Sequence, residues 1–233
     1  VKYPGSKARI AKHILSLMEL KPNQVFVDLF HGGCNILDKV SNPRIANEYN
    51  FYIHRLFQSL VYENWIPPKI VTQEEYYAIK ADPDKYEPQL VGFVAVCCSF
   101  GGKWWGGYAR GKNAKGEPRN YALESHSHLL KQRDKLVGVQ FYNLDYSDVL
   151  VPLGSLVYCD PPYKNAIKYK DEFDHERFWD YCRSLSKISK VFISEYDAPE
   201  DFKCIWEKEV NAYTSKKSYK KATEKLFVYN GNW

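Results

Sequence analysis

A carboxylate, two prolines and an aromatic ring stand in a row at Asp160-Pro161-Pro162-Tyr163, directly behind the apolar run Leu156-Val157-Tyr158-Cys159. Such a run reads as a buried strand. Proline cannot donate to a sheet ladder, so Pro161 and Pro162 end the strand and fix the path of the backbone beyond it. In open α/β sheets, ligands sit just outside the carboxyl ends of strands. The spacing therefore brings a carboxylate acceptor, backbone carbonyls and a flat ring into one small volume. That set can hold a planar amino group over an aromatic face. The same residues could also form an ordinary Pro-Pro turn with Tyr163 as a half-buried ring, so the other segments decide.

Three further segments fall at strand ends or helix starts. Asp28-Leu29-Phe30-His31-Gly32-Gly33 ends an apolar run with an acid and two glycines. The glycines let a ligand approach the backbone closely, and a following short helix would offer its N-terminus. This is not the dinucleotide fingerprint G-x-G-x-x-G. Glu48 lies 15 residues after Gly33, at the expected end of the next strand. An acid about 20 residues beyond a nucleotide loop accepts ribose hydroxyls; the other reading of Glu48 is an acid favoured at a helix N-terminus. Asp145-Tyr146 follows another strand and could hold an amino group and a ring, or belong to a simple turn.

The elements that must position these residues follow from hydrophobic spacing. Helices are expected over Ser6 to Met18, Asn35 to Val40, Phe51 to Asn64, Ser125 to Lys135 and Glu176 to Ile188. Strands are expected over Gln24 to Phe30, Arg44 to Ala46, Val139 to Tyr142, Leu156 to Cys159, Lys190 to Ser194 and Lys225 to Tyr229. Between them, prolines 67, 68, 83 and 88 punctuate a less regular stretch, and 101–119 is rich in glycine and basic residues. The pattern is an α/β sheet with helices on both faces, formed by 1–64 and 137–233 and interrupted by a mostly helical insertion over 65–136.

The 233 residues suffice for one α/β domain with an insertion or for two small domains, and 45% hydrophobic with 26% charged residues is a soluble globular composition. No apolar stretch reaches the length of a membrane span, and the N-terminus lacks a signal-peptide core, so the chain is expected in the cytoplasm. The six cysteines show no C-x-x-C spacing and read as reduced thiols, so no metal is called for. The net charge of +5 is mild, but its distribution is uneven. Lys103, Arg110, Lys112, Lys115 and Arg119 face the single acid Glu117, with Trp104, Trp105 and Tyr108 among them, and Lys216, Lys217, Lys220 and Lys221 form a second cluster. Basic residues interleaved with aromatics fit a phosphate backbone with stacked bases; the plainer reading is a solvated loop with a few buried rings.

In order, Lys2-Tyr3-Pro4-Gly5-Ser6-Lys7, then Phe26 to Gly33, then Asp160-Pro161-Pro162-Tyr163 resemble the D12 class of DNA adenine-N6 methyltransferases, the branch of the enteric and phage enzymes. The resemblance covers nearly the whole chain. It implies a Rossmann-like sheet that binds S-adenosylmethionine, with target recognition in the insertion. Tyr3, Lys7, Asp28, Phe30, Gly32, Glu48, Asp145, Tyr146 and Asp160 would line the cofactor pocket, and Asp160, Pro161, Pro162 and Tyr163 would carry catalysis. Lys2 would sit near double-stranded DNA, joined by Lys103, Trp104, Arg110, Lys112 and Arg119. Two departures stand out: Cys34 replaces a third glycine common in relatives, and Glu48 replaces an Asp.

The implied chemistry has a specific obstacle. The exocyclic nitrogen of adenine is a poor nucleophile because its lone pair is delocalised into the ring. Acceptance of both its N–H bonds, by Asp160 and the Pro161 carbonyl, would favour a pyramidal nitrogen able to attack a sulfonium methyl in line. The base must first be flipped out of the duplex, with Tyr163 stacking on it. A cognate restriction enzyme or a phage host would be natural company. The rival expectations are methylation of an amino group on RNA or protein, and a catalytically silent DNA-binding module.

Overall fold

The computed structural model describes residues 3–163, 173–215 and 218–232. The chain runs α1 (Ala11–Met18), β1 (Phe26–Asp28), β2 (Arg44–Asn47), α2 (Phe51–Tyr62), α3 (Gln73–Ala81), α4 (Pro88–Gly92), α5 (Tyr121–Leu136), β3 (Val139–Tyr142), β4 (Leu156–Cys159), α6 (His175–Leu185), β5 (Lys190–Glu195), β6 (Phe202–Ser215) and β7 (Ser218–Tyr229). Among the described residues, seven strands form one sheet in the order β3-β2-β1-β4-β5-β7-β6. The first five are parallel, and β7 enters antiparallel between β5 and β6. This is the doubly wound, Rossmann-like sheet, with its order reversing between β1 and β4.

Alternation along the strands builds two cores, one on each face. Phe26, Leu156, Tyr158, Phe192 and Leu226 point to the face covered by α1, α2, α4 and α5. Their neighbours Val27, Val157, Cys159, Val191, Ile193 and Phe227 point to the face covered by α6. Residues of the 65–136 segment, including Val71, Tyr76, Val91, Phe93 and Leu129, belong to the first core. The segment is mostly helical, and it contributes to the packing of the sheet itself.

Local chemistry sets the helix boundaries. Asn50 caps α2 by accepting from the Tyr52 and Ile53 amides at 3.1 and 3.2 Å, and Thr72 with Glu75 forms a capping box at α3. The helix expected from Ser6 begins only at Ala11, because Gly5 has φ +69° and 3–6 turns back on itself through Ser6 N–H to the Tyr3 carbonyl. The helix expected over Asn35 to Val40 is a single 3-10 turn, Leu37–Lys39. Cys34 is left-handed at φ +55° and Pro43 follows closely, which leaves too little chain for a full helix. The glycine loop therefore has no helix N-terminus behind it.

Near the C-terminus the structure exceeds expectation. β7 starts at Ser218 and pairs with β6 in a long antiparallel ribbon that periodicity did not reveal. The six cysteines are free thiols, five of them buried. No helix among the described residues is long and apolar enough to cross a membrane.

One glycine fixes how the insertion meets the sheet. A Cβ on Gly92 would lie 2.2 Å from the Tyr52 carbonyl oxygen, so α4 can approach α2 only without a side chain there. The helix then passes into a π-turn, Phe93–Cys97, all of it buried. Gly92→Ala is expected to destabilise the fold by about 1–3 kcal/mol, the usual cost of overpacking. Urea unfolding checks this; an unchanged midpoint would show that α2 and α4 can separate freely.

Candidate active site

The carboxyl ends of β1, β2, β3, β4 and β5 open on one side of the sheet, and the chemistry-bearing residues gather there. The order reversal between β1 and β4 places Asp28 and the Asp160 segment side by side, since Asp28 registers with Tyr158. Asn47 ties the rims together. Its side-chain amide donates to the Leu29 and Leu144 carbonyls at 3.3 and 3.1 Å and its oxygen accepts from the Leu144 amide at 3.0 Å.

At the end of β4, Lys7 is the hub. Its Nζ lies 2.9 Å from Asp160 Oδ1 and 3.3 Å from Glu224 Oε1, and donates to the Gly5 carbonyl at 3.0 Å. Lys7 and Glu224 are buried, whereas Asp160 keeps 20% of its side chain exposed. Burial works against the Lys7 charge, but Asp160 and Glu224 outweigh it and hold the ammonium above the ordinary lysine range. Tyr163 donates its hydroxyl to Glu224 Oε1. Lys7 Nζ stands 4.8 Å above the Tyr163 ring, and Tyr196 meets that ring edge-on at 4.6 Å. Burial, with Asp160 and Glu224 nearby, keeps the phenol protonated. Pro161 is buried and Pro162 half-buried.

The glycine loop borders this hub. Gly32 has φ +46°, and a Cβ on it would lie 2.7 Å from Tyr3 Cε1. A side chain there would drive the Tyr3 ring off the loop. The loop is also held from behind: Gln132 of α5 donates to the Gly33 and Cys34 carbonyls at 3.0 and 3.1 Å. His31 is buried between Phe57 and Phe141, and burial lowers its pKa to about 3, so it is neutral. Asp28 is almost fully buried; burial raises its pKa well above the carboxylate range, against a 3.2 Å bond from the Phe30 amide.

Glu48 stands where the end of β2 turns into α2. Its two oxygens accept from the Gly32 amide at 3.1 Å and the Asn50 amide at 3.0 Å. Each oxygen retains a lone pair, so the half-buried carboxylate can still take two hydroxyl donors. Beyond β3, Asp145 makes a two-pronged ion pair with Arg177, at 3.0 and 3.2 Å, and accepts from the Ser147 amide and hydroxyl. Tyr146 packs with Phe30, Phe173, Phe178 and Tyr181. Its buried hydroxyl has no hydrogen-bond partner among the described residues, a polar group in an aromatic nest.

Phe30, Gly32, Glu48, Asp145, Tyr146 and Asp160 thus stand in the segments that leave β1, β2, β3 and β4, Asp28 ends β1, Tyr3 and Lys7 pack against those segments from the N-terminal side, and Pro161, Pro162 and Tyr163 follow β4. Sequence reasoning missed Glu224, Tyr196 and Arg177. Glu224 lies just before the strand expected over 225–229 and shares a face of β7 with buried Leu226 and Val228, an acid on an apolar face that was the one local signal for it.

In the insertion, Arg110 and Lys112 are exposed and Lys103 is half-buried. Trp104 packs against Tyr52 and Trp105. Arg119 is occupied: it forms an ion pair with Glu124 and lies 4.7 Å from the Tyr121 ring centre. Arg110 lines a hollow of about 440 Å³ with Tyr77, Phe100, Tyr108, Gly106 and Gly107. Lys2, Lys216 and Lys217 lie outside the described residues.

Residues 3–89 match the family described as D12 class N6 adenine-specific DNA methyltransferase. That span holds α1, the glycine loop, Glu48 and the start of the insertion. Among solved structures, a conserved hypothetical protein of Streptococcus pyogenes aligns at 11% identity with TM-score 0.39, over 96% of this chain and 97% of that one. A protein provisionally described as a methyltransferase, solved in complex with SAH, aligns at 10% identity with TM-score 0.41, over 96% of this chain and 52% of that one.

Burial raises the Glu48 carboxyl to about 7 from an ordinary 4.5, although the Asn50 and Gly32 amides oppose it. Asp28 shifts in the same direction. Both groups bind a proton more tightly folded than unfolded, so stability falls as pH rises between these values. Buried neutral His31 works in the opposite direction below its ordinary 6.5, so the comparison decides: between about pH 5 and about pH 7.5, urea unfolding should show a smaller drop in stability for Glu48→Gln than for the parent chain. Equal drops in both proteins would show that Glu48 is not the titrating group.

Proposed function

We propose that this chain, whose residues 3–89 match the D12 class model, transfers a methyl group from S-adenosylmethionine to the N6 amino group of an adenine flipped out of duplex DNA. The observation that carries the reading is the Asp160 carboxylate: anchored through one oxygen on buried Lys7, partly open to solvent, and next to the Tyr163 ring at the end of β4.

The residues fit the cofactor by type and place. Glu48, with its remaining lone pairs, would accept the two ribose hydroxyls. The Phe30 and Tyr146 rings offer flat surfaces for adenine, with Asp145 beside them as an acceptor. The Gly32 backbone, bare of a side chain, lets the Tyr3 ring pack directly on the loop. S-adenosylmethionine supplies a methyl group activated by a sulfonium.

The chain supplies positioning and electrostatics. Asp160 accepts one N–H of the target amine, and the Pro161 carbonyl, which follows a nitrogen without a proton, accepts the other. Accepting both protons draws the nitrogen toward a pyramidal geometry and frees its lone pair. The Tyr163 ring supports the base by stacking. Preassembly of these groups removes the entropic cost of arranging them at the moment of transfer.

The segment 65–136 would hold the DNA, with the exposed charges of Arg110 and Lys112 and the half-buried Lys103 on the phosphates and Trp104 nearby. Arg119 is a weaker candidate because Glu124 neutralises it. Lys2 keeps its proposed place beside the target. Flipping costs a few kcal/mol, which such backbone contacts offset.

Two experiments test this. In a tritiated-methyl assay with duplex DNA, Asp160→Ala should lose methyl transfer while its circular dichroism spectrum stays that of the parent; unchanged turnover would refute the assignment. Arg110→Ala should bind DNA more weakly and lower the slope of log K against log salt by about 1. An identical slope would remove Arg110 from the phosphate contacts.

A further inference from the structure

We infer that Glu224 is a positioning residue for the proposed transfer: it shares the Lys7 ammonium with Asp160 and anchors the Tyr163 hydroxyl. The inference rests on the amino-methyl transfer proposed above.

The geometry singles Glu224 out. It comes from β7, some sixty residues beyond the Asp160 segment in sequence, yet its Oε1 meets both Lys7 Nζ and the Tyr163 hydroxyl. It is buried beside a second carboxylate, an arrangement that costs stability unless a cation is shared. Other charged or titratable groups that face it are Tyr158 on β4 and Tyr196 after β5. Tyr158 is engaged with the Ser194 hydroxyl at 2.8 Å, and exposed Lys208 on β6 is registered opposite Glu224; among the described residues Lys7 is the buried cation that Glu224 pairs with. Burial pushes the Glu224 carboxyl above its ordinary range, against the pull of Lys7 and the Tyr163 hydroxyl.

Sharing of the ammonium suits the reaction. If Lys7 served Asp160 alone, the pair would be neutral and Asp160 a weaker acceptor. With Glu224 sharing the ammonium, Asp160 keeps more of its charge for the amine. As the new N–C bond forms from the nitrogen lone pair, the C–S bond breaks and its electron pair stays on sulfur. Positive charge moves onto the nitrogen until one of its protons leaves for Asp160 or water. The nearby Asp160 carboxylate stabilises that shift. The hydroxyl contact does the geometric part, since Tyr163 cannot swing while its phenol is bound to β7.

A structural staple between β7 and the N-terminal segment is the competing explanation, and it predicts a different outcome. Glu224→Gln keeps the shape and an acceptor but removes the charge. In steady-state assays with saturating duplex DNA, kcat should fall by about 30-fold or more, while the KM for S-adenosylmethionine stays within about threefold. A parental kcat, or a loss only in thermal stability, would overturn the inference. So would a rise in that KM matching the fall in kcat. Should Glu224→Gln fail to fold, Tyr163→Phe decides, because it removes only the anchored hydroxyl: a fall in kcat of about fivefold or more supports the role, and an unchanged kcat overturns it. The unsubstituted chain is the control. If it methylates no adenine in DNA, the underlying reading fails and this inference falls with it; if it does and the variants match it, only the inference fails.

Discussion

A buried ammonium needs partners, and the way Lys7 finds them organises the whole rim. Its two carboxylates come from the end of β4 and from β7, while the lysine itself precedes α1. Three distant parts of the chain therefore converge on one charge. Without that convergence Lys7 and Glu224 would be unpaired buried charges, each costing several kcal/mol. Lys7 also lies over the Tyr163 ring, so the same atom sets both the acceptor and the stacking surface.

The sheet makes the convergence possible. Parallel strands β1 to β5 present their carboxyl ends to one side, and the order reverses between β1 and β4, the place where such sheets bind ligands. Asn47 and Gln132 then tie the loops leaving these strands to one another and to α5. Because α5 comes from the 65–136 segment, the part of the chain expected to meet a macromolecular substrate is packed directly behind the glycine loop.

How much of this the sequence disclosed depended on whether a signal was local. Val139–Tyr142 and Leu156–Cys159 were legible because short apolar runs end at turn residues, and Asp160 to Tyr163 because four chemically distinct residues are contiguous. The ribbon of β6 and β7 was not, since Lys and Glu alternate along it and resemble a charged loop until an antiparallel partner is known. Cys34 hid a left-handed turn where helical spacing suggested a short helix. At the site, Lys7 and Glu48 could be named in advance, but Glu224 could not: its role exists only through contacts made far away in sequence. Arg119 shows the reverse, a residue prominent in a basic run whose charge is already matched by Glu124.

The central claim is that this rim makes an adenine amine reactive toward a sulfonium methyl. The direct measurement is the nucleoside composition of duplex DNA, digested and resolved by mass spectrometry after incubation with the protein and S-adenosylmethionine. The account predicts N6-methyl-2′-deoxyadenosine as the methylated nucleoside. Methyl groups found only on cytosine, or on RNA or protein offered in parallel, would contradict it.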